Sequence, residues 1–149
     1  MTRHRSTPPE PYALHPQLAA DSHPLASLAL CELRLMDDCN YPWLVLVPRV
    51  PGARELLDLD PGQRVALMEE VAVAERLLLE AERPHKLNVA ALGNLVAQLH
   101  VHVIARFEDD PAWPAPVWGR VAARQYSPEA LVERVSRLTR LLEAARGQA

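Results

Sequence analysis

Residues 98–105 read Gln-Leu-His-Val-His-Val-Ile-Ala, and this run constrains the chain more than any other. Its Val and Ile favour extended backbone, and polar residues recur at every second position. In a strand, side chains two apart share a face. Leu99, Val101 and Val103 therefore point one way, where helices can cover them, while Gln98, His100 and His102 point the other. Three neighbouring polar side chains on one face, two of them imidazoles, need either solvent or a functional site. Neutral imidazole is a capable nucleophile near pH 7, and a neighbouring imidazolium can stabilise a phosphate or protonate a leaving group. The pattern suits two-step phosphoryl or nucleotidyl transfer. Two surface histidines without chemistry would give the same alternation.

The elements around this strand follow from local chemistry. From Ala29 to Met36, Cys31, Leu33 and Leu35 alternate with Glu32 and Arg34, as in a half-buried strand. Asp37 to Pro42 has turn composition. Trp43 to Val47 is a short apolar run stopped by Pro48, which predicts a buried strand. Asp60-Pro61-Gly62-Gln63 is a helix start with a cap, a proline at the first helical position and a capping-box partner. That helix is expected to reach about Glu82, before Pro84, with Val65, Met68, Ala72 and Leu79 buried. Lys86 to Ala91 reads as a strand, and Leu92-Gly93-Asn94 as a turn or a connection to a short helical turn. Residues 111–119 carry three prolines and two tryptophans and are expected to form an ordered loop. A last helix begins at the cap Ser127, with Leu131, Val135, Leu138 and Leu142 as its apolar stripe. Tyr12 to Asp21 has room for one or two helical turns. Strands grouped between two long helices predict an α+β fold.

Composition narrows the function classes. A net charge of −3 over 149 residues argues against a protein that coats long nucleic acid, while leaving room for a small phosphorylated ligand. Cys31 and Cys39 do not make a disulfide framework for a chain of this size and are expected to be reduced thiols. No apolar segment follows the basic N-terminus, and the apolar runs are far shorter than a spanning helix. A cytoplasmic protein without a membrane span is the expectation.

The segment from Lys86 to Arg106 is similar throughout to the signature of the histidine triad (HIT) family. That signature is His-φ-His-φ-His-φ-φ, with φ hydrophobic, on a strand preceded by a Gly-containing loop. Trp43 to Arg49 resembles the family's apolar strand ending in Pro-basic, and Leu56-Leu57-Asp58-Leu59 before the long helix resembles the segment after it. The resemblance spans roughly residues 25 to 110. It implies an antiparallel sheet of about five strands packed with one long central helix and a C-terminal helix. The expected organisation is a flexible arm at residues 1–11 and a single HIT-like domain at 12–149.

The resemblance also implies residue roles. His100 takes the place of the middle histidine, which attacks the α-phosphate of a nucleotide and forms a covalent nucleotidyl-histidine. Water or another acceptor then resolves it. His102 takes the place of the third histidine, which contacts the phosphate and assists. Gln98 stands where the family has its first histidine; it can donate and accept hydrogen bonds but cannot transfer a proton. A slower enzyme, or one that prefers a better leaving group, would follow. Asn88 and Asn94 fall where relatives contact ribose or phosphate, or orient the histidines, although loop capping would also explain them. Asp37 or Asp38 falls near the ribose-binding acid, with turn formation as the alternative. Leu95 replaces a hydroxyl residue common in relatives. Arg106 is either a phosphate contact or a surface residue at a strand end, and Trp113 and Trp118 either stack on a base or pack the loop.

The resulting expectation is a nucleotide-phosphate hydrolase or nucleotidyl transferase, acting on a nucleoside phosphoramidate or dinucleoside polyphosphate. It needs no cofactor, although a divalent metal could enter with the substrate. A homodimer is implied. Two other readings compete: a HIT module that binds a nucleotide with little turnover, and a metal site built on His100 and His102.

Overall fold

The structure is a computed structural model and describes residues 10–148. Most of the segment expected to form an N-terminal arm, residues 1–9, lies outside the described residues. A short helix α1 (Pro16–Asp21) leads into strands β1 (Ser22–Ser27), β2 (Cys31–Met36) and β3 (Trp43–Pro48). Helix α2 (Pro61–Glu82) follows, then β4 (Lys86–Ala90), β5 (Val101–Arg106) and helix α3 (Pro128–Arg146). The strands form one antiparallel sheet in the order β1-β2-β3-β5-β4. This is the α+β architecture expected from the sequence.

Period-two alternation divides the sheet into two faces. Cys31, Leu33 and Leu35 of β2, Leu44 and Leu46 of β3, and Val101, Val103 and Ala105 of β5 turn to one side. There they pack with Leu67, Val71, Ala74, Leu77 and Leu78 of α2 and Leu138 and Leu142 of α3. The other side carries Trp43, Val45, Val47 and Ile104, covered by Leu18 of α1, Tyr41, and Ala112 and Val117 of the proline-rich loop. Central strands β3 and β5 are buried along their whole length.

Helix α2 begins as its sequence requires. Asp60 Oδ1 accepts from Gln63 N at 2.8 Å and Gln63 Oε1 accepts from Asp60 N at 2.9 Å, closing the capping box. Arg83 ends the helix in the left-handed conformation, one residue before Pro84. The buried face differs from the expectation. Val65, Met68 and Leu79 are 65%, 67% and 48% exposed, while Leu67, Glu70, Val71, Ala74, Leu77, Leu78 and Ala81 are buried. Apolar residues occur all around this helix, so its periodicity leaves two faces eligible for the core. Glu70 belongs to the inward face because its carboxylate caps the β1–β2 turn, accepting from Leu30 N and Cys31 N at 2.7 and 2.9 Å.

Two further differences concern strands. β1 escapes sequence reading because Ser-His-Pro-Leu-Ala-Ser lacks alternation and contains a proline. It is an edge strand with a register shift between Pro24 and Ala26, where a missing N–H is tolerated. β5 starts at Val101, whereas the extended pattern in the sequence runs over residues 98–105. β4 supplies no partner beyond Ala90, opposite His102, and Leu99 N donates instead to Ala53 O at 2.9 Å. His100 therefore sits just before the strand, on the backbone that enters it.

Candidate active site

The two signature histidines lie side by side, with ring centroids 4.9 Å apart and planes at 76°. Both are largely buried, at 7% and 5% exposure. Their hydrogen bonds set them in opposite tautomers. His100 Nδ1 lies 2.6 Å from the carbonyl oxygen of Gln98. A carbonyl only accepts, so Nδ1 carries the proton and Nε2 keeps its lone pair. His102 Nδ1 accepts from the indole Nε1–H of Trp43 at 3.0 Å. An indole nitrogen only donates, so the proton of neutral His102 is on Nε2. Burial, reinforced by His100 beside it, pushes the His102 pKa down to about 4. With both rings neutral, the pair thus offers one imidazole lone pair and one N–H donor.

Sheet register explains why Trp43 is the partner. Trp43 pairs with Ile104 and Val45 with His102, so Trp43 and His102 are diagonal neighbours on one face. Trp118 closes the cluster. Its ring stands edge-on to Trp43 and His102, with centroids 5.7 and 5.2 Å away. The loop carrying Trp118 is held by Arg106, which is 1% exposed. The Arg106 guanidinium donates to both Asp110 carboxylate oxygens at 2.8 and 3.0 Å, to Asn88 Oδ1 at 2.7 Å and to Ala115 O at 2.8 Å. It lies 5.9 and 5.7 Å from the ring centroids of Tyr41 and Trp113. Burial pushes Asp110 up, but Arg106 and three main-chain N–H donors outweigh it and hold the carboxyl at about 2.

A cavity of about 390 Å³ opens onto the histidine. His100, Gln98, Gly93, Leu92, Arg54 and Glu55 are among the residues that line it. Gln98 spends its side chain on the chain segment ahead of α1: Oε1 accepts from His15 N and Nε2 donates to Ala13 O, both at 2.8 Å. The amide acts as a staple between that segment and the approach to β5.

The structure brings His100, His102 and Gln98 together. It does not bring the other expected residues to the cavity. Asn88 and Arg106 bond to each other within the buried loop anchor. Asp37 Oδ1 accepts from Tyr126 N at 3.0 Å. Asp38 Oδ1 accepts from Asn40 N, Asn40 Nδ2 and Arg124 N, tying the turn after β2 to the segment before α3. Asn94 is exposed in the loop before β5. Among the described residues, no group of three or more His, Cys, Asp or Glu is placed to hold a metal ion. Sequence reasoning did not single out Trp43 or Arg54. Trp43 carried no signal beyond its apolar strand, and Arg54 lies in a turn segment without periodicity.

Comparisons with known proteins agree with this fold. The family description HIT domain matches residues 17–109. A histidine triad protein from Bradyrhizobium japonicum is 44% identical, with a TM-score of 0.85 over 88% of this chain and 98% of its own. One from Marinobacter aquaeolei is 43% identical, with a TM-score of 0.87 over 91% and 98%. One from Sinorhizobium meliloti is 40% identical, with a TM-score of 0.84 over 87% and 96%. No curated protein matches the sequence. The matched family description, the shared fold and the level of identity agree, and the chain belongs to the histidine triad (HIT) family.

Proposed function

We propose that this protein hydrolyses or transfers a nucleotidyl group at the α-phosphate of a small nucleotide conjugate, through a covalent nucleotidyl-His100. Membership in a family consisting mostly of nucleotide hydrolases and transferases supports the class of activity. The observation that carries the mechanism is the opposite setting of the two imidazoles. With His100 Nδ1–H held by Gln98 O, the Nε2 lone pair is available to attack phosphorus, and the carbonyl remains in place to stabilise the imidazolium that forms. With Nδ1 occupied by Trp43, His102 Nε2–H can donate a hydrogen bond to a phosphate oxygen. Gln98, standing in place of the first triad histidine, positions main chain and transfers no proton. Asn88 and Arg106 hold the loop that carries Trp118, so this reading assigns neither to the nucleotide.

The test is a mass measurement on protein mixed with diadenosine triphosphate or adenosine 5′-phosphoramidate and rapidly quenched. The expected result is an increase of one adenylyl group that is absent from His100→Ala. The second reading, a binding module, is favoured by Gln98, which removes an ionisable group. It predicts tight nucleotide binding with neither adduct nor turnover.

The same proposal includes a homodimer. Val65, Met68 and Leu79 leave an apolar strip exposed along α2, and β4 is a sheet edge with Val89 47% exposed. Pairing across both would join two sheets and cover the strip. A monomeric mass in solution would remove the dimer. The free thiols of Cys31 and Cys39 suit the cytoplasm, and no described helix is long and apolar enough to cross a membrane. No cofactor is required by this scheme; a divalent metal could enter with the substrate.

A further inference from the structure

The carbonyl that sets the tautomer of His100 belongs to the peptide between Gln98 and Leu99. Residues 98–100 lie outside both ladders of β5, which begin at Val101 opposite Leu46 and at His102 opposite Ala90. No ladder among the described residues therefore fixes this peptide. At its Leu99 end the anchors are a side chain buried in the helix-face core and the N–H bond to Ala53 O. At its Gln98 end the anchor is the side-chain amide of Gln98 itself.

That amide grips a strap. Its Oε1 accepts from His15 N and its Nε2 donates to Ala13 O, one bond on each side of Leu14, as a paired main chain would bond. The strap is held at both ends. Tyr12 Oη donates to Glu32 Oε2 of β2 at 3.1 Å, and His15 Nδ1 accepts from Gln17 N at 3.0 Å, capping α1. Tyr12 and Leu14 pack on the cluster that contains Val45 and Val47 of β3. Residues 12–15 thus run across the open face, from β2 over β3 to the approach to β5. A carboxamide suits this pair of bonds and an imidazole does not. In the carboxamide, an N–H and a carbonyl lone pair leave side by side, and they meet a carbonyl and an N–H two residues apart on one chain. In an imidazole, the N–H and the lone pair sit on separate ring nitrogens and diverge, so a histidine at position 98 keeps at most one of the two bonds.

We propose that Gln98 is a positioning residue: with the strap Tyr12–His15, its amide fixes the carbonyl that holds His100 in its nucleophilic tautomer, so a histidine placed at position 98 lowers activity and does not raise it. This rests on nucleotidyl transfer through His100. Gln98 acts through His100 and transfers no proton. The strap, far from the histidine strand in sequence, becomes part of what aims the nucleophile.

The experiment has two readouts: kcat and KM with diadenosine triphosphate, and the His100 tautomer in the free protein by long-range ¹H–¹⁵N correlation. Both are measured for the wild type, Gln98→Ala, Gln98→His and His15→Pro. His15 has φ −57°, which proline adopts, so His15→Pro deletes the N–H that Gln98 accepts from without forcing the backbone. His15→Ala, which keeps that N–H, is its reference. Gln98→Ala and Gln98→His are each expected to lower kcat about 10- to 100-fold with KM within about threefold, and to shift His100 from the Nδ1–H form to a mixture of tautomers. His15→Pro is expected to lower kcat relative to His15→Ala, and its combination with Gln98→Ala to fall short of the product of the two separate losses, because both remove one contact. A rise in kcat/KM in Gln98→His, an unchanged tautomer and kcat in Gln98→Ala, or fully multiplicative losses in the double variant overturns the proposal. A wild type with neither turnover nor adduct, whose His100 tautomer still shifts in Gln98→Ala, overturns nucleotidyl transfer and leaves the positioning of His100 by Gln98 standing.

Discussion

The two faces of the sheet share the same strands and differ in what holds them. The face under α2 and α3 is almost entirely aliphatic: Leu33, Leu44, Leu46, Val103, Leu78 and Leu138 meet with no ion pair among them. The opposite face mixes aromatic packing with buried polar groups: Trp43 on His102, Tyr41 beside Arg106, and Arg106 on Asp110. An aliphatic face gains stability from burial and tolerates some repacking. A face whose polar atoms are each matched to one partner fixes geometry, and losing a partner leaves a buried group unsatisfied. The helix side therefore supplies the platform, and the open side fixes how the two imidazoles are held.

Breaking one partner on the open face should cost most. Asp110→Ala strands the Arg106 guanidinium in the interior and is expected to lose about 3–5 kcal/mol in chemical unfolding. It should also reduce activity at temperatures where the protein stays folded, because Arg106 holds the loop that presses Trp118 against His102. On the helix face, Leu78→Ala should cost about 2–5 kcal/mol through lost burial and a cavity. Its kcat/KM in the folded state should stay within about twofold of the wild type. Equal activity losses from the two variants would erase the distinction between the faces.

Acid sharpens it. His102 is held near 4 in the folded protein, against an ordinary value near 6.5. Between these values the unfolded chain binds the proton and the folded chain does not, so stability falls as pH drops through this window. The contribution of this one group is about 3 kcal/mol, present above pH 6.5 and lost by pH 4. Urea titrations of wild type and His102→Phe across that range should converge as pH falls. Trp43→Phe keeps the ring and removes the N–H. It should cost about 1–3 kcal/mol, free Nδ1 for protonation and raise the His102 pKa, readable from imidazole NMR shifts. Gln98→Ala should have the smallest effect on stability, about 1 kcal/mol, because its two bonds hold a partly exposed segment.

The sequence made some of this legible and not the rest, for physical reasons. Local rules located α2, since Asp60, Pro61 and Gln63 form its capping box within four residues, and Ser127 likewise begins α3. Alternation placed Val101 and Val103 on one face and His102 on the other. Which face of α2 turns inward was not legible, because Val65 and Met68 are as apolar as Leu67 and Val71, and only the sheet decides between them. The Trp43–His102 bond spans 59 residues of sequence and exists only through strand register. Arg106 read equally well as a phosphate contact or a surface residue; in the structure it is buried and paired with the carboxylate of Asp110, which the loop brings back.

The hydrogen bonds of the two neighbouring histidines preset them in opposite tautomers. Long-range ¹H–¹⁵N correlation of the imidazole rings in the free protein at pH 7 tests this directly. The expected spectrum shows His100 protonated on Nδ1 and His102 protonated on Nε2, with His102 unchanged until the pH approaches about 4. Both rings in the same tautomer, or a His102 that titrates near its ordinary value, would contradict the account.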